Sequence, residues 1–465
     1  MYTPRLTAVA VALAMGAPMA ASANDSAEME KIRAEIQQMR ESYEARIQSL
    51  ETRLKETGAG VDRAQETAQR AEATATAQSS QRSAANAFNP ETSIILDGKY
   101  ADRENVGERH LTGFMPLAHN HGGTDRGFSL NHTELVLSAS VDNWLRGYAN
   151  IALLDGAAEV EEAYFETLGL GHGFTVKGGR FRSGIGYMNE QHPHAWDFAD
   201  NSLMYQALFG EGHIQDGVQA KWVAPTDLLI ELGGEVGRGA EINGYSSNGA
   251  GTVSLFGHVG GDIGTSHAWR AGLSWLQAKA GARAFDGHDT NDVEVTGDLN
   301  GKSRVWIADF VYKWAPNGNP QYTNFKLQGE YFRRTEDGSL RCDDLDPANP
   351  SACSGGIADG TYKSSQSGWY LQGVYQFMPR WRAGLRYDRL QRGDVDLNGT
   401  DIGSTIASLA DFDPRRTTAM VDFSPSEFSR FRVQYARDES MQGLDEHQWT
   451  LQYIMSLGAH GAHKF

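Results

Sequence analysis

The stretch "HQWTLQYIMSLGAHGAHKF", His447 to Phe465, holds a regular alternation. Trp449, Leu451, Tyr453 and Met455 fall on one parity, Gln448, Thr450 and Gln452 on the other. Side chains of an extended chain point alternately to opposite faces, so this reads as a strand with one apolar and one polar face. The same rule recurs upstream. In "HTELVLSASVD" (132–142), Leu135, Leu137, Ala139 and Val141 oppose Glu134, Ser138 and Ser140. In "EEAYFETL" (161–168), Ala163 and Phe165 oppose Glu162, Tyr164 and Glu166. "TNFKLQGEYFRR", "GWYLQGVYQF", "WRAGLRYDRL" and "RFRVQYARD" repeat it. Repetition over so many segments points to a closed sheet rather than to isolated strands.

Composition agrees. The 465 residues are 10% aromatic, with 52 glycines and two cysteines, and mean hydropathy is −0.48. No stretch beyond the N-terminus approaches the ~20 apolar residues of a membrane helix. A chain this polar still crosses a membrane as a barrel, whose lumen and lipid faces alternate. The expected fold is all-β: a transmembrane antiparallel β-barrel of about 16 strands, within 14 to 18, since bacterial single-chain barrels close on even numbers. The alternative is a secreted soluble β-protein.

"MYTPRLTAVAVALAMGAPMAASAND" has the basic start, short apolar run and small-residue site of a secretory signal peptide, giving residues 1–23. Residues 24–57 carry Ile32, Ile36, Met39, Tyr43, Ile47, Leu50 and Leu54 at near-heptad spacing, which predicts a coiled coil. Such a narrow stripe cannot form a monomeric core, so self-association is expected, with an oligomer number that the stripe does not fix. The alternative is a helix lying on the barrel or the membrane. Residues 58–87 are an Ala/Gln/Ser/Thr-rich linker, and residues 88–465 form the barrel. Short connectors "DGAA", "GHG", "APTD", "QFMPRW" and "FSPSEFS" are expected on the periplasmic side. Long loops are expected outside, around 183–213, 237–264, 279–300, 335–365 and 391–413. Tyr148, Trp222, Trp314 and Tyr435 suit aromatic girdles.

A terminal phenylalanine after such a strand resembles the closing segment of bacterial outer-membrane barrels. "GFSLNHTELVLSASVD", "VEEAYFETLGLGHGFTVKGGRFRSGIGYMNEQ" and "GWYLQGVYQFMPRWRAGLRYDRL" resemble the phosphate-selective porin superfamily. The N-terminal coiled coil is similar to that of its trimeric dicarboxylate-type members, a resemblance that implies a homotrimer through residues 24–57. "HPHAWDFADNSLMYQALFGEG" and "SLGAHGAHKF" look like proteins labelled zinc-regulated TonB-dependent outer-membrane receptors. Energy-coupled receptors close about 22 strands around a globular plug. The region before this barrel leaves no room for one, so a passive or weakly gated pore is expected. The resemblance also implies that loop 183–213 folds into the lumen.

The chemistry expected of the chain follows from there. His192, His194 and Asp197 offer imidazole and carboxylate ligands that suit Zn²⁺, and His119/His121 form a second His-x-His pair. The plain alternative is polar loop residues without metal. No resident cofactor is expected; a transient Zn²⁺ contact is. Protonation of the histidine pair would act near pH 6 to 7. Arg180, Arg182, Arg382 and Arg386 are pore-lining candidates. The chain's −17 divides into +1 from Arg5, −2 from residues 24–87 (nine basic against eleven acidic groups) and hence −16 in the barrel. Acidic loops such as "DGHDTNDVEVTGD" favour cations over anions. Cys342 and Cys353 in an exported protein read as a loop disulfide. No catalytic or nucleic-acid motif is present, so an enzyme is not expected. The functional expectation is an outer-membrane channel for passive uptake of small hydrophilic solutes, with Zn²⁺ or other cations among them. The alternatives are a structural or adhesive envelope barrel tethered by its coiled coil, and an anion- or dicarboxylate-selective porin.

Overall fold

The computed structural model describes residues 90–458 except 107–108, 116–125, 131, 155–156, 211, 240–248, 292 and 345–359, together with six positions near the N-terminus. The chain divides into two units, Met1–Ala87 and Phe88–Phe465. In the first, the described residues Gln37, Gln38, Arg40, Glu41, Glu44 and Gln48 are helical. The apolar stripe from Ile32 to Leu54, the signal peptide, the linker, His119, His121, Cys353 and Phe465 lie outside the described residues.

The second unit is one closed antiparallel sheet. Its first strands are β1 (Glu91–Asp102), β2 in two pieces (Gly127–Leu130 and Thr133–Ser140), β3 (Leu145–Leu154) and β4 (Ala157–Thr167). Next come β5 (Phe174–Arg182), β6 (Ile214–Val223), β7 (Leu229–Gly237) and β8 (Thr252–Ile263). The tallest strands are β9 (His267–His288), β10 (Glu294–Trp314), β11 (Asn324–Asp344) and β12 (Gly360–Met378). The last are β13 (Trp381–Leu397), β14 (Arg415–Ser426), β15 (Ser429–Glu439) and β16 (Glu446–Gly458). Both pieces of β2 pair with β1, and β16 closes on β1 with Ser93 opposite Gly458 and Asp102 opposite Trp449. A two-residue strand, Thr400–Asp401, folds back on β13 and adds no stave, because β13 goes on to pair with β14. The 18 strand segments are therefore 16 staves.

Polarity is inverted relative to a water-soluble sheet. On β16, Trp449 and Leu451 are 51% and 50% exposed, whereas Thr450 and Gln452 are each 4% exposed. Leu273, Leu385, Phe431 and Val433 continue this outward apolar surface on other staves. Apolar side chains outside and buried polar ones inside, on a sheet without edges, are what a bilayer selects. The molecule is an outer-membrane type β-barrel. No described helix is long and apolar enough to cross a membrane.

Connections alternate between the two ends. Short ones, such as 168–173, 224–228, 264–266, 379–380 and 427–428, share one end, the periplasmic one by the general rule. At Gly171-His172-Gly173 all three residues have positive φ, and a Cβ on Gly173 would meet the Val223 carbonyl oxygen at 2.0 Å. That turn closes only with glycine there.

Several expectations are corrected. "DGAA" connects β3 to β4 and therefore lies at the long-loop end, because successive connections must alternate. Much of 237–264, 279–300 and 335–365 is strand: β8, and the upper halves of β9 to β12. Beyond the membrane a strand needs no apolar face, so its polar, Gly/Asp-rich sequence resembles a loop. Tyr148 is no girdle residue; it shares parity with the buried Asn150 and stacks inside the barrel on Tyr164, with ring centroids 5.0 Å apart. Cys342 on β11 is disulfide-bonded, and no cysteine among the described residues is free.

The interior contains apolar packing that alternation alone does not reveal. Phe256, Leu276, Val305, Ile307, Phe332, Tyr370 and Leu390 point inward from β8 to β13 and form one cluster with Ile185, Met188, Leu203, Met204 and Leu208. Nearer the long-loop end a second cluster unites Phe285, Val295, Leu340 and Tyr362 with Ile402, Ile406 and Leu409 of the 398–414 connection.

Candidate functional site

Residues 183–213, between β5 and β6, turn into the barrel. Asn189 closes the neck of this loop: its Nδ2 donates to the Ser183 and His213 carbonyls at 2.7 and 3.1 Å, and its Oδ1 accepts from His213 N at 2.6 Å. The loop holds a one-turn 3-10 helix, Pro193–Ala195, and a short helix α1, Leu203–Phe209. Proline's fixed φ suits the first helical position. Leu203, Met204, Tyr205 and Leu208 of α1 are buried in the apolar cluster. Glu330 of β11 is the central anchor. It accepts from Met188 N at 2.8 Å, Tyr187 N at 3.3 Å, Tyr205 Oη at 2.9 Å and Tyr370 Oη at 2.6 Å.

On one wall the loop meets carboxylates. A register shift leaves Asn150 opposite Glu162 and Ile151 opposite Val160, with Glu161 as the extra residue. A bulge of this kind turns two successive side chains to one face, and both Glu161 and Glu162 are buried inward. His192 Nε2 lies 2.8 Å from Glu162 Oε2, and its Nδ1 lies 3.3 Å from Glu161 Oε2 and 3.5 Å from Glu134 Oε2. His194, its ring stacked on His192 with centroids 5.7 Å apart, places Nδ1 2.8 Å from Glu134 Oε1. His132 and Arg182 complete the group, 3.1 and 3.3 Å from Glu161. Burial pulls the His192 pKa down, but Glu134, Glu161 and Glu162 outweigh it and raise it to about 10.

On the opposite wall the loop meets cations. Asp197 accepts from Lys326 Nζ at 2.9 Å and Arg382 Nη1 at 3.0 Å. Asp200 accepts from Arg386 Nη2 at 2.8 Å and lies 3.0 Å from Arg416 Nη1. Arg432 Nη2 donates to the Trp196 carbonyl at 2.9 Å. Burial raises both aspartate pKa values, yet the adjoining cations hold Asp197 and Asp200 well below the usual carboxylate range.

The predicted residues therefore separate. His192 and His194 share a site, but Asp197 sits with the arginines and is no ligand partner of theirs. Arg382 and Arg386 face inward and are ion-paired, with Asp422 and Asp388 as second partners. Arg182 is a counter-ion of the acidic group. Arg180 is not pore-lining: it pairs in register with Asp216 at 2.7 Å on the outward parity, two residues from the 55%-exposed Val218. Sequence reasoning missed Glu161, because a bulge leaves no trace in alternation. Glu134 and Glu162 were legible as polar-face residues, but their convergence on the His-Pro-His turn was not.

Glu134, Glu161 and His192 each offer a ligand atom within 4.8 Å of the others. Two carboxylates and an imidazole fit a divalent transition ion, with His194 adjoining.

No protein-family model matches the chain. It is 30% identical over 421 residues to an uncharacterized protein of Aquifex aeolicus (strain VF5), covering 82% of this chain and 80% of that one. Among solved structures it is similar to OmpT, an outer membrane protein of Vibrio cholerae, in trimer form (12% identity, 79% of this chain and 99% of that chain, TM-score 0.48). It is also similar to the outer membrane channel DcaP of Acinetobacter baumannii (13%, 79% and 96%, TM-score 0.43). A third is the anion-selective porin from Comamonas acidovorans (11%, 79% and 99%, TM-score 0.43).

Proposed function

The chain belongs to the same family as the uncharacterized Aquifex aeolicus protein, and from the barrel's own geometry we propose that it is an outer-membrane channel for passive passage of small hydrophilic solutes. The observation that carries this is the inward loop, stretched between a carboxylate–histidine wall and an arginine wall. A charged layer across a lumen sorts polar solutes by charge and size. The Glu134–Glu161–His192 group supports a finer reading, in which Zn²⁺ or a similar cation is held in transit; a transport contact must also release its ion. Residues 24–57 are read as a periplasmic coiled coil joining three copies.

Conductance and reversal potentials in planar bilayers, with and without Zn²⁺, test the reading. Discrete single-channel steps are expected, with a Zn²⁺ block that the Glu161→Gln/His192→Gln double variant abolishes. A barrel that never conducts would overturn the channel in favour of a structural envelope role. A second reading, anion selectivity, draws on Lys326, Arg382, Arg430 and Arg432, which share the nearby carboxylates Asp197 and Asp422. Strong anion preference in the wild type would establish it. Deleting residues 24–57 should convert a trimer into monomers in mild detergent, measured by light scattering.

A further inference from the structure

Glu231, His258, Gly272, Asp309 and Glu330 are successive register partners on β7, β8, β9, β10 and β11 and form one row. Glu231 Oε1 lies 2.9 Å from His258 Nδ1, and Glu190 of the inward loop brings a carboxylate to the same place. Ligand atoms of Glu190, Glu231 and His258 lie within 4.8 Å of one another. Behind them, buried His258 Nε2 and both carboxylate oxygens of buried Asp309 make no hydrogen bond. Gly272 keeps a space between these two groups: a Cβ there would lie 2.1 Å from Asp309 Oδ2 and 2.6 Å from the His258 ring. The four carboxylates of this neighbourhood, Glu330 included, face two cations, Lys221 on Glu231 and Arg270 on Glu190. Carboxyl groups here thus outnumber cations by four to two.

We propose that Glu190, Glu231 and His258 bind a divalent first-row transition ion, which fastens the inward loop to β7 and β8. A pair of ligand atoms ~3 Å apart is what two bonds of ~2.1 Å to one ion subtend. A ligating histidine commonly gives its other N–H to a carboxylate, which fixes the ring; Asp309 is placed for that positioning role. The ion also adds positive charge where carboxyl groups outnumber cations, and shares Glu190 with Arg270.

The experiment uses the full chain in detergent, stripped with EDTA and titrated calorimetrically with Zn²⁺, with Co²⁺ absorption as a second readout. The Glu161→Gln/His192→Gln background removes the other carboxylate–histidine group. One saturable equivalent is expected to remain there, and adding His258→Gln or Glu231→Gln should abolish it. Asp309→Asn should weaken it 10- to 100-fold. Melting curves show that each variant is folded, and Glu231→Gln serves if His258→Gln is not. No saturable binding in that background overturns the proposal, as does an isotherm that neither His258→Gln nor Glu231→Gln changes, which would mean adventitious binding only. The result stands apart from the channel reading, because stoichiometry in detergent is measured whether or not the barrel conducts.

Discussion

One unmatched residue, Glu161, gives the inner wall its third carboxylate, and His192 answers all three. Removing one partner from such a buried group leaves charge uncompensated. His192→Gln is therefore expected to destabilise the metal-free barrel by about 3 kcal/mol, read from urea midpoints in chelator. Because the folded-state pKa of His192 is raised from 6.5 to about 10, its stabilisation is full below pH 6.5 and lost as pH rises through 10. This moves the histidine response away from the pH 6 to 7 that an isolated imidazole predicts. His213 behaves in the opposite way. Buried, with neither nitrogen hydrogen-bonded and its ring stacked 5.4 Å from Phe209, it is pulled down to about 4 by burial. Its neutral form is the one that folds, so stability should fall as pH drops from 6.5 to 4. His213→Phe should remove that acid sensitivity, and an unchanged acid melting profile would contradict the assignment.

At the scale of elements, strand alternation was legible wherever lipid contact imposed an apolar face, as at Trp449–Tyr453 or Phe325–Tyr331. It was illegible where strands leave the membrane, as in "DGHDTNDVEVTGD", part of which is the upper ladder between β9 and β10. Residues 183–213 were legible as a loop, and the resemblance implied that it enters the barrel; its apolar anchor was not legible, because Leu203, Met204 and Leu208 share a cluster with Phe256, Leu276, Phe332 and Leu390 from distant strands. Glu330 ties that loop to the wall through three hydrogen bonds, from Tyr187 N, Met188 N and Tyr205 Oη, and accepts a fourth from Tyr370 on β12. Glu330→Ala leaves Met188 N, Tyr205 Oη and Tyr370 Oη without that acceptor inside the barrel, an expensive arrangement that favours displacement of the loop. On the channel reading, single-channel conductance should rise several-fold and become noisier. A variant with wild-type conductance and noise would show that the loop is held by its apolar face alone.

Across the whole molecule, charge is distributed unevenly. The barrel's −16 includes exposed acidic residues at the strand tips, such as Asp286 and Glu294, whereas Asp197 and Asp200 of the inward loop pair with cations of the interior wall. Exposed charge acts at a distance only through the solvent, and its reach is about 10 Å at 0.1 M salt and about 3 Å at 1 M. Buried pairs are screened far less. The two contributions therefore separate with ionic strength. At 0.1 M KCl the acidic exterior should concentrate cations at the mouth and give a cation-selective reversal potential. At 1 M KCl that preference should shrink towards the intrinsic selectivity of the loop layer, where Lys326, Arg382, Arg430 and Arg432 oppose Glu134, Glu161 and Glu162. Replacing Asp286 and Glu294 on the upper β9–β10 ladder with their amides should weaken selectivity at low salt and leave the high-salt value unchanged. Selectivity that does not vary with salt would place the discriminating charges inside the barrel, and an anion-selective value at 1 M would assign the narrowest point to the arginine wall.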